Sequence, residues 1–349
     1  MLIRELDESS ISEWRFFLKN IETSKIYYTP EYKNFLSKVV PGDSRYFGVW
    51  ESGSLKGILP LFISHSNQNC KVINSLPWYG SHGGCLISPD ADKTVRVLLI
   101  EKYKELIERE TTLSSTLILD LDEQKYKHHY TNLLNDVIED ERIGQVTFLP
   151  NFSENTEIEL EKMIHKKTRN LVRKSLNQGF DIVNTDEDWA WDFLYETHKE
   201  NLIQIGGKPK PKDHFIAIRE SFPDSMKAVS IAMLDKVPVA GLLLLYFNKT
   251  IEYLTPVIKH NYRSNQPLSF LIWMKMIDGI HDDYSWWNWG GTWKSQKSLH
   301  HFKSRWGAKD YPYSYLISAT EKNMGTIKLH QNNFSSLFPF FYVYPLDRI

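Results

Sequence analysis

Three stretches of this 349-residue chain carry side chains whose types and spacing can do chemistry. The first is HKKTRNLVRK, residues 165–174. On a helix, Lys166, Arg169 and Arg173 stand at i, i+3 and i+7 and share a stripe, with Lys167 and Lys174 on a neighbouring one. Leu160, Ile164, Leu171 and Ser175 point the other way, toward a core. Such a stripe can hold a phosphate, a pyrophosphate or an RNA backbone. A solvated helix explains the same run. Acidic residues first (Glu157, Glu159, Glu161) and basic residues last is the order a helix dipole favours with no ligand at all. The second stretch is HNYRSNQPL, 260–268, where a strand enters a helix. Free N–H groups at a helix start bind anions, and Arg263, Ser264 and Asn265 add donors. An ordinary strand-to-helix loop with Pro267 near its first turn accounts for it equally well. The third is WWNWGGTWKSQKSLHHFKSRWGA, 286–308. It reads as a strand ending at Gly290-Gly291, a loop, and a helix with Leu299, Phe302 and Trp306 on one face and the cations Lys303 and Arg305 beside it. Exposed Trp faces stack on sugar rings or bases, whereas burial in a core is the commoner fate of large aromatics.

Several familiar constellations are missing. There is no GxSxG elbow, no Walker loop and no HExxH. The pairs His128-His129 and His300-His301 are adjacent, so on a helix they diverge, and no metal site is expected. No nucleophile–base pair is spaced for covalent catalysis, which favours direct attack by a substrate amine. A net charge of −1 argues against a whole-molecule nucleic-acid binder, and DNA is not expected as a partner. Two cysteines, Cys70 and Cys85, make no disulfide scaffold and suit a reducing compartment. The start MLIRELDESS has no apolar signal region, and the longest apolar run, VPVAGLLLLYF, is too short to span a bilayer. The expected location is cytoplasmic.

The elements that must position these residues form a repeat. Residues 46–62 and 229–247 each read as a strand, a tight polar turn and a second apolar strand entered through a glycine, Gly57 or Gly241. A third strand follows each (about 70–75 and 250–257), then a loop, a helix (92–109 and 266–280) and another strand (116–121 and 285–290). A repeat of this length fits a duplicated domain, and a cleft between the copies is the expected small-molecule site. Residues 10–38 read as helical. The break PNFSENT, 150–156, marks the expected domain boundary. A long helix is expected over 157–178, with Thr156 and Glu159 as a capping box and Gly179 as its stop. Another is expected over 188–204, followed by the loop IGGKPKPKD. The tail from 332 carries Phe334, Phe338, Phe340, Phe341, Tyr342 and Tyr344, too many aromatics for a free end. It is expected to fold back on the first domain; the alternative is a membrane-surface anchor.

Taken together, these pieces resemble the FemAB-like acyltransferases. KKTRNLVRKSLNQGFDIV (166–183) is similar to the family's basic helix, a Lys-x-Arg-Asn-x-x-Arg-Lys pattern followed by Gly. NSLPWYGSHGG (74–84) resembles a first-domain loop that ends in Tyr-Gly-Gly. AGLLLLYFNKTIEYLTPVIKHNYRSNQPLSFLIW (240–273) resembles the second-domain strands and the start of its long helix. WNWGGTWKSQKSLHHFKSRWGA (287–308) resembles the closing signature, an aromatic-Asp-aromatic-Gly-Gly strand followed by Phe-Lys-x-x-aromatic-Gly. The resemblance covers about residues 45–315. Here Asn288 replaces the usual Asp, Ser298 stands where Gly is common, Ser81-His82 is inserted in the loop, and there is no room for the paired-helix arm of some tRNA-using relatives.

The resemblance implies an α/β (α+β) fold of two tandem GNAT-like domains, each a mixed, mostly antiparallel sheet flanked by helices. These would be residues 1–155 on the acceptor side, completed by the tail 332–349, and residues 156–331 on the donor side. It implies transfer of an acyl group to an amine of a cell-envelope or surface-polysaccharide precursor, the donor lying where two strands of one sheet splay apart. Lys303 and Asn288 would hold the catalytic positions. Tyr79, His82, Gly84, Lys166, Arg169 and Arg173 would bind a nucleotide- or lipid-linked sugar or peptide acceptor. Tyr262, Arg263 and Asn265 would line the donor side. No cofactor is bound permanently; acyl-CoA is the expected co-substrate. The alternatives are an aminoacyl-tRNA-dependent peptidyltransferase acting on a peptidoglycan precursor and, from another class, a non-catalytic carbohydrate-binding protein on a transferase fold.

Overall fold

The computed structural model describes residues 1–66, 70–77, 82–109, 112–134, 137–293, 295–319, 321–330 and 333–343. In chain order the first elements are β1 (Leu2–Glu5), α1 (Ile11–Lys19), α2 (Pro30–Val39), β2 (Asp43–Glu51), β3 (Ser54–His65), β4 (Lys71–Asn74), β5 (Leu86–Ile87), α3 (Lys93–Arg109), β6 (Thr112–Leu119), α4 (Lys127–Leu134) and β7 (Ile138–Phe148). Then come α5 (Thr156–Met163), α6 (Lys166–Leu176), β8 (Asp181–Asn184), α7 (Asp188–Gln204), α8 (Lys212–Ser221), β9 (Lys227–Leu234), β10 (Val237–Phe247), β11 (Thr250–Ile258), α9 (Pro267–His281), β12 (Trp286–Thr292), α10 (Lys297–Arg305), β13 (Lys309–Ser318), α11 (Glu321–His330) and α12 (Phe334–Leu337).

The chain forms two compact units, Met1–Gly144 with the chain from Tyr311 on, and Gln145–Asp310. The division falls inside β7 and β13, whereas the loop 150–156, where a boundary was expected, lies wholly within the second unit. A Pro- and Asn-rich break marks where regular structure stops, which need not be where packing is sparse.

In the first unit the strand order is β1-β2-β3-β4-β6-β13-β7, with β5 on β3. In the second it is the end of β7, then β12-β11-β10-β9-β8. Both units contain a two-residue hairpin. Ser52-Gly53 and Asp235-Lys236 all have positive φ, the geometry whose twist matches flanking strands. In both, the next strand pairs in parallel with the strand after the helix, β4 with β6 and β11 with β12. In each unit the strands bury an apolar face. Val49, Leu59, Leu61, Leu99, Tyr103 and Leu117 gather in one core, and Leu242, Leu244, Ile251, Leu271, Met276 and Trp287 in the other. Burying each such side chain fully contributes about 1.5–3 kcal/mol. The two repeat glycines serve non-equivalent helices. A Cβ on Gly57 would meet Val95 and Leu99 of α3, and one on Gly241 would meet Leu194 of α7.

Two helix expectations are corrected. Residues 10–38 split into α1 and α2, because Pro30 opens a new helix capped by the Thr29 side chain. The helix expected over 157–178 breaks at Ile164, which is extended. His165 then caps α6 by accepting from the Lys167 amide, and the His165 amide donates to the Arg305 carbonyl. Thr156 bonds with Ser153 instead of forming a box with Glu159. Gly179, at φ +74, follows the end of α6.

The described part of the tail packs within the first unit. Phe334 and Phe338 are buried, and the Tyr342 hydroxyl donates to Asp140 at 2.8 Å. Tyr344 lies outside the described residues. Liposome flotation is expected to be the same with and without residues 332–349. Tail-dependent flotation would make the tail an anchor.

Candidate active site

The second unit contains a fork. β11 and β12 pair in parallel over Thr250–Glu252 against Trp286–Asn288. β11 then continues to Ile258 and β12 to Thr292. Pro256, which cannot donate to a ladder, sits on β11 beyond its last residue paired to β12. That proline is the local signal of the fork that sequence reading missed.

A polar network fills the start of the fork. Asn288 is buried, and its Nδ2 donates to Glu252 Oε2 at 2.7 Å. Its Oδ1 accepts the Gly290 amide at 2.9 Å, across a turn where Gly290 has φ +71. Lys303, on α10, is 4% exposed. Its Nζ donates to the Gly290 carbonyl (3.3 Å), the Gly291 carbonyl (3.1 Å) and Thr292 Oγ1 (2.8 Å). Thr292 donates to Gln145 Oε1 at 2.9 Å, and the Gln145 amide donates to Asp310 Oδ1 at 3.1 Å. Burial lowers the Lys303 ammonium to about 8. This is not a surface lysine paired to Asp310, which is bonded to His300 at 2.7 Å. The expected face of α10 is also corrected: Leu299 is 39% exposed and Lys303 takes the inward place, because the end of β12 offers it three oxygens. The tryptophans divide. Trp287, Trp289 and Trp306 are core, whereas Trp293 is 55% exposed.

The other site residues of this unit lie on two further elements. Tyr262 packs against the unit's core, Arg263 is exposed, and Asn265 Nδ2 donates to Gln178 Oε1 at 2.7 Å. They lie on the turn His260–Asn265, and Gln266 in a left-handed conformation leads into α9. On α6, Thr168, Val172 and Ser175 face inward; Leu160, Ile164 and Ser175 are buried as expected, and Leu171 alone of that face is corrected, being exposed. Arg169 donates to the Glu161 carbonyl at 3.1 Å, and Arg173 makes two bonds to the Glu161 carboxylate. Lys166, Lys167 and Lys174 are exposed.

The first unit holds a second cluster. His82 is buried and stacks on Tyr27 with ring centroids 4.7 Å apart. Burial, helped by Lys25, pushes it well below the usual histidine range. Gly84 sits over β6, where a Cβ would lie 2.1 Å from the Ile118 carbonyl oxygen. Tyr79 lies outside the described residues. Sequence reading missed Asp120, which follows β6 and is 4% exposed. The Tyr28 hydroxyl lies 2.8 Å from the Gly83 carbonyl and 3.3 Å from Asp120 Oδ2. Burial raises the Asp120 carboxyl to about 7, partly offset by Lys25. A carboxyl raised on folding favours the fold while protonated, so stability is lost as pH climbs from about 4 through 7. Asp120→Asn is expected to remove that loss, gaining roughly 2–4 kcal/mol over the wild type at pH 8 and little at pH 4. Urea denaturation at both pH values measures it; an equal difference at both would show that Asp120 is ionised throughout.

No protein-family model matches the chain, and no curated protein matches its sequence. Solved structures match its fold. The crystal structure of FemX matches with a TM-score of 0.74 at 13% identity, over 94% of this chain and 99% of that one. The C-terminal domain of a putative lysylphosphatidylglycerol synthetase from Agrobacterium fabrum matches at 0.57 and 10% identity, over 93% and 96%. A tandem GNAT protein from the clavulanic acid biosynthesis pathway matches at 0.53 and 10% identity, over 91% and 98%. The chain has the mixed α/β, GNAT-like fold of these proteins.

Proposed function

We propose that this protein is an N-acyltransferase that moves an acyl group, from acyl-CoA first of all, onto an amine of a cell-envelope or surface-polysaccharide precursor. The observation that carries this reading is the fork with a buried cation at its start. A neutral amine attacks the donor carbonyl, the C–N bond forms, and negative charge develops on the carbonyl oxygen. The C–S bond then breaks, the thiolate leaves, and the amine gives its surplus proton to the leaving group or to water. A positive charge held in a dry site lowers the energy of that oxyanion without reorganising. Lys303 is the cation, with Asn288 holding the turn that receives it. Tyr262, Arg263 and Asn265 line the donor side. In the first unit, His82, Gly84 and Asp120 are the candidates for binding the acceptor.

The exposed lysines of α6 (Lys166, Lys167, Lys174) favour a second reading, in which the donor is an aminoacyl-tRNA and the acceptor a peptidoglycan precursor. In either case Lys166 has its charge available for acceptor phosphates, while Arg169 and Arg173 must first release Glu161. The test offers the purified protein acetyl-CoA and longer acyl-CoAs, or charged tRNA, each with amine-bearing nucleotide sugars and muramyl peptides. Free thiol or free tRNA is followed together with the mass of the acceptor. Amine-dependent thiol release supports the first reading, and amine-dependent deacylation of tRNA the second. Sugar binding with no turnover of any donor would overturn both in favour of a carbohydrate-binding protein.

A further inference from the structure

The start of the fork holds a carboxylate that no sequence pattern singled out. Glu252 lies on β11, is 3% exposed, and stands directly across the parallel ladder from Asn288. The register pairs Glu252 with Asn288, the last matched residues before the strands part. Asn288 spends both ends of its amide there: Nδ2 donates to Glu252 Oε2 at 2.7 Å, and Oδ1 accepts the Gly290 N–H at 2.9 Å. Gly290 takes a left-handed turn that this bond closes. The carbonyls of Gly290 and Gly291 then receive Lys303. One continuous line of bonds runs from the carboxylate to the cation.

We propose that Glu252 is the positioning residue of this site: through Asn288 and the Gly290 turn its carboxylate sets where the Lys303 ammonium lies. This deepens the acyl-transfer reading and rests on it for its functional meaning. Asn288 is then the link between the carboxylate and the turn. An acid at both places would put two carboxylates within hydrogen-bond distance. Like charges that close share a proton, and one of them titrates high. An amide facing a carboxylate has no such conflict. His300 and Asp310 are bonded to each other, and Asp310 connects to Lys303 through Gln145 and Thr292.

The test needs no substrate. The Lys303 ammonium is followed by 15N NMR of lysine-labelled protein, assigned with Lys303→Met, and melting temperature is recorded from pH 5 to 9. In the wild type the Lys303 midpoint is expected near 8. Glu252→Gln keeps an acceptor for Asn288 and is expected to leave that midpoint in place. Glu252→Met removes the acceptor, frees the turn, and is expected to move the midpoint about one pH unit or more toward the ordinary lysine range. Asn288→Asp alone is expected to make the melting temperature fall more steeply than that of the wild type as pH rises through neutrality, when the shared proton leaves. The double variant Glu252→Gln with Asn288→Asp reverses the polarity of the bond. The new amide donates, the new carboxylate accepts, and the Gly290 amide keeps its partner. It is expected to return the pH dependence to that of the wild type and restore the Lys303 midpoint. A midpoint unmoved in folded Glu252→Met, or a double variant that behaves like Asn288→Asp, overturns the proposal. Should Glu252→Met not fold, the comparison of single and double variants decides alone. A protein that passes these tests yet turns over no donor would fail the acyl-transfer reading and keep the positioning line.

Discussion

Lys303→Ala is expected to lower kcat for acyl transfer by about 10²–10³ with little change in KM, as loss of one oxyanion-stabilising group typically does. Lys297→Ala, at the exposed start of the same helix, is the control and is expected to change neither. In the resting site the three ammonium hydrogens point to the carbonyls of Gly290 and Gly291 and to Thr292 Oγ1. The charge therefore acts on the donor carbonyl through its field in a dry site, where a unit charge reaches further than in water. Removing it also leaves buried acceptors unmatched, at about 1–3 kcal/mol. Thr292→Val separates the two effects: it loses one acceptor and keeps the charge, so stability should fall while kcat is largely held. The pH profile supplies a second check. The active form is the protonated one, so kcat is expected to fall as pH rises through about 8. Equal activity in Lys303→Ala and Lys297→Ala would remove Lys303 from the chemistry.

Gly84→Ala is expected to cost roughly 3–5 kcal/mol of stability, summing left-handed strain and overpacking. Gly84 has φ +77, and an added Cβ would sit 2.1 Å from the Ile118 carbonyl oxygen. That oxygen belongs to β6, where Ile118 is paired with Tyr315 of β13, so it cannot retreat without disturbing the ladder. Gly179→Ala is the internal control. Gly179 has a similar φ of +74 but nothing within 4 Å of the added Cβ. It should therefore show strain alone, about 1–2 kcal/mol. Chemical denaturation of the two variants measures the difference; equal losses would mean that the loop at Gly84 moves away from β6 freely.

The elements that were legible in the sequence are those whose signals are local. The polar turns at 51–54 and 235–236 sit between apolar runs, and both are two-residue hairpins. The helices expected over 92–109, 188–204 and 266–280 are α3, α7 and α9, set by helical spacing of apolar residues and bounded by turn residues. The order of the repeat is legible for the same reason, since each of its parts carries its own pattern. Where the reading slipped, a distant partner had changed the outcome. The helix through Ile164 had every local mark of continuing, but the Arg305 carbonyl takes the His165 amide and the chain turns there.

The candidate site divides along the same line. Sequence by itself determined which residue types are present, and it placed Lys303 one residue past an aromatic on a helix that follows a Gly-Gly turn. Burial and partners were decided only by the tertiary structure. Glu252 and Asn288 are 36 residues apart, and Gln145 and Thr292 are 147 apart. Arg169 and Arg173 share a helical stripe as their spacing requires, yet whether that stripe meets a ligand or Glu161 depends on how α5 turns back beside it. Asp120 shows no motif at all; burial, with Asp122 and Glu123 adding to it, raises its carboxyl to about 7. The physical reason is common to all of these. Periodicity and turn chemistry act over a few neighbouring residues, whereas desolvation and charge pairing depend on atoms that only folding brings within a few ångströms.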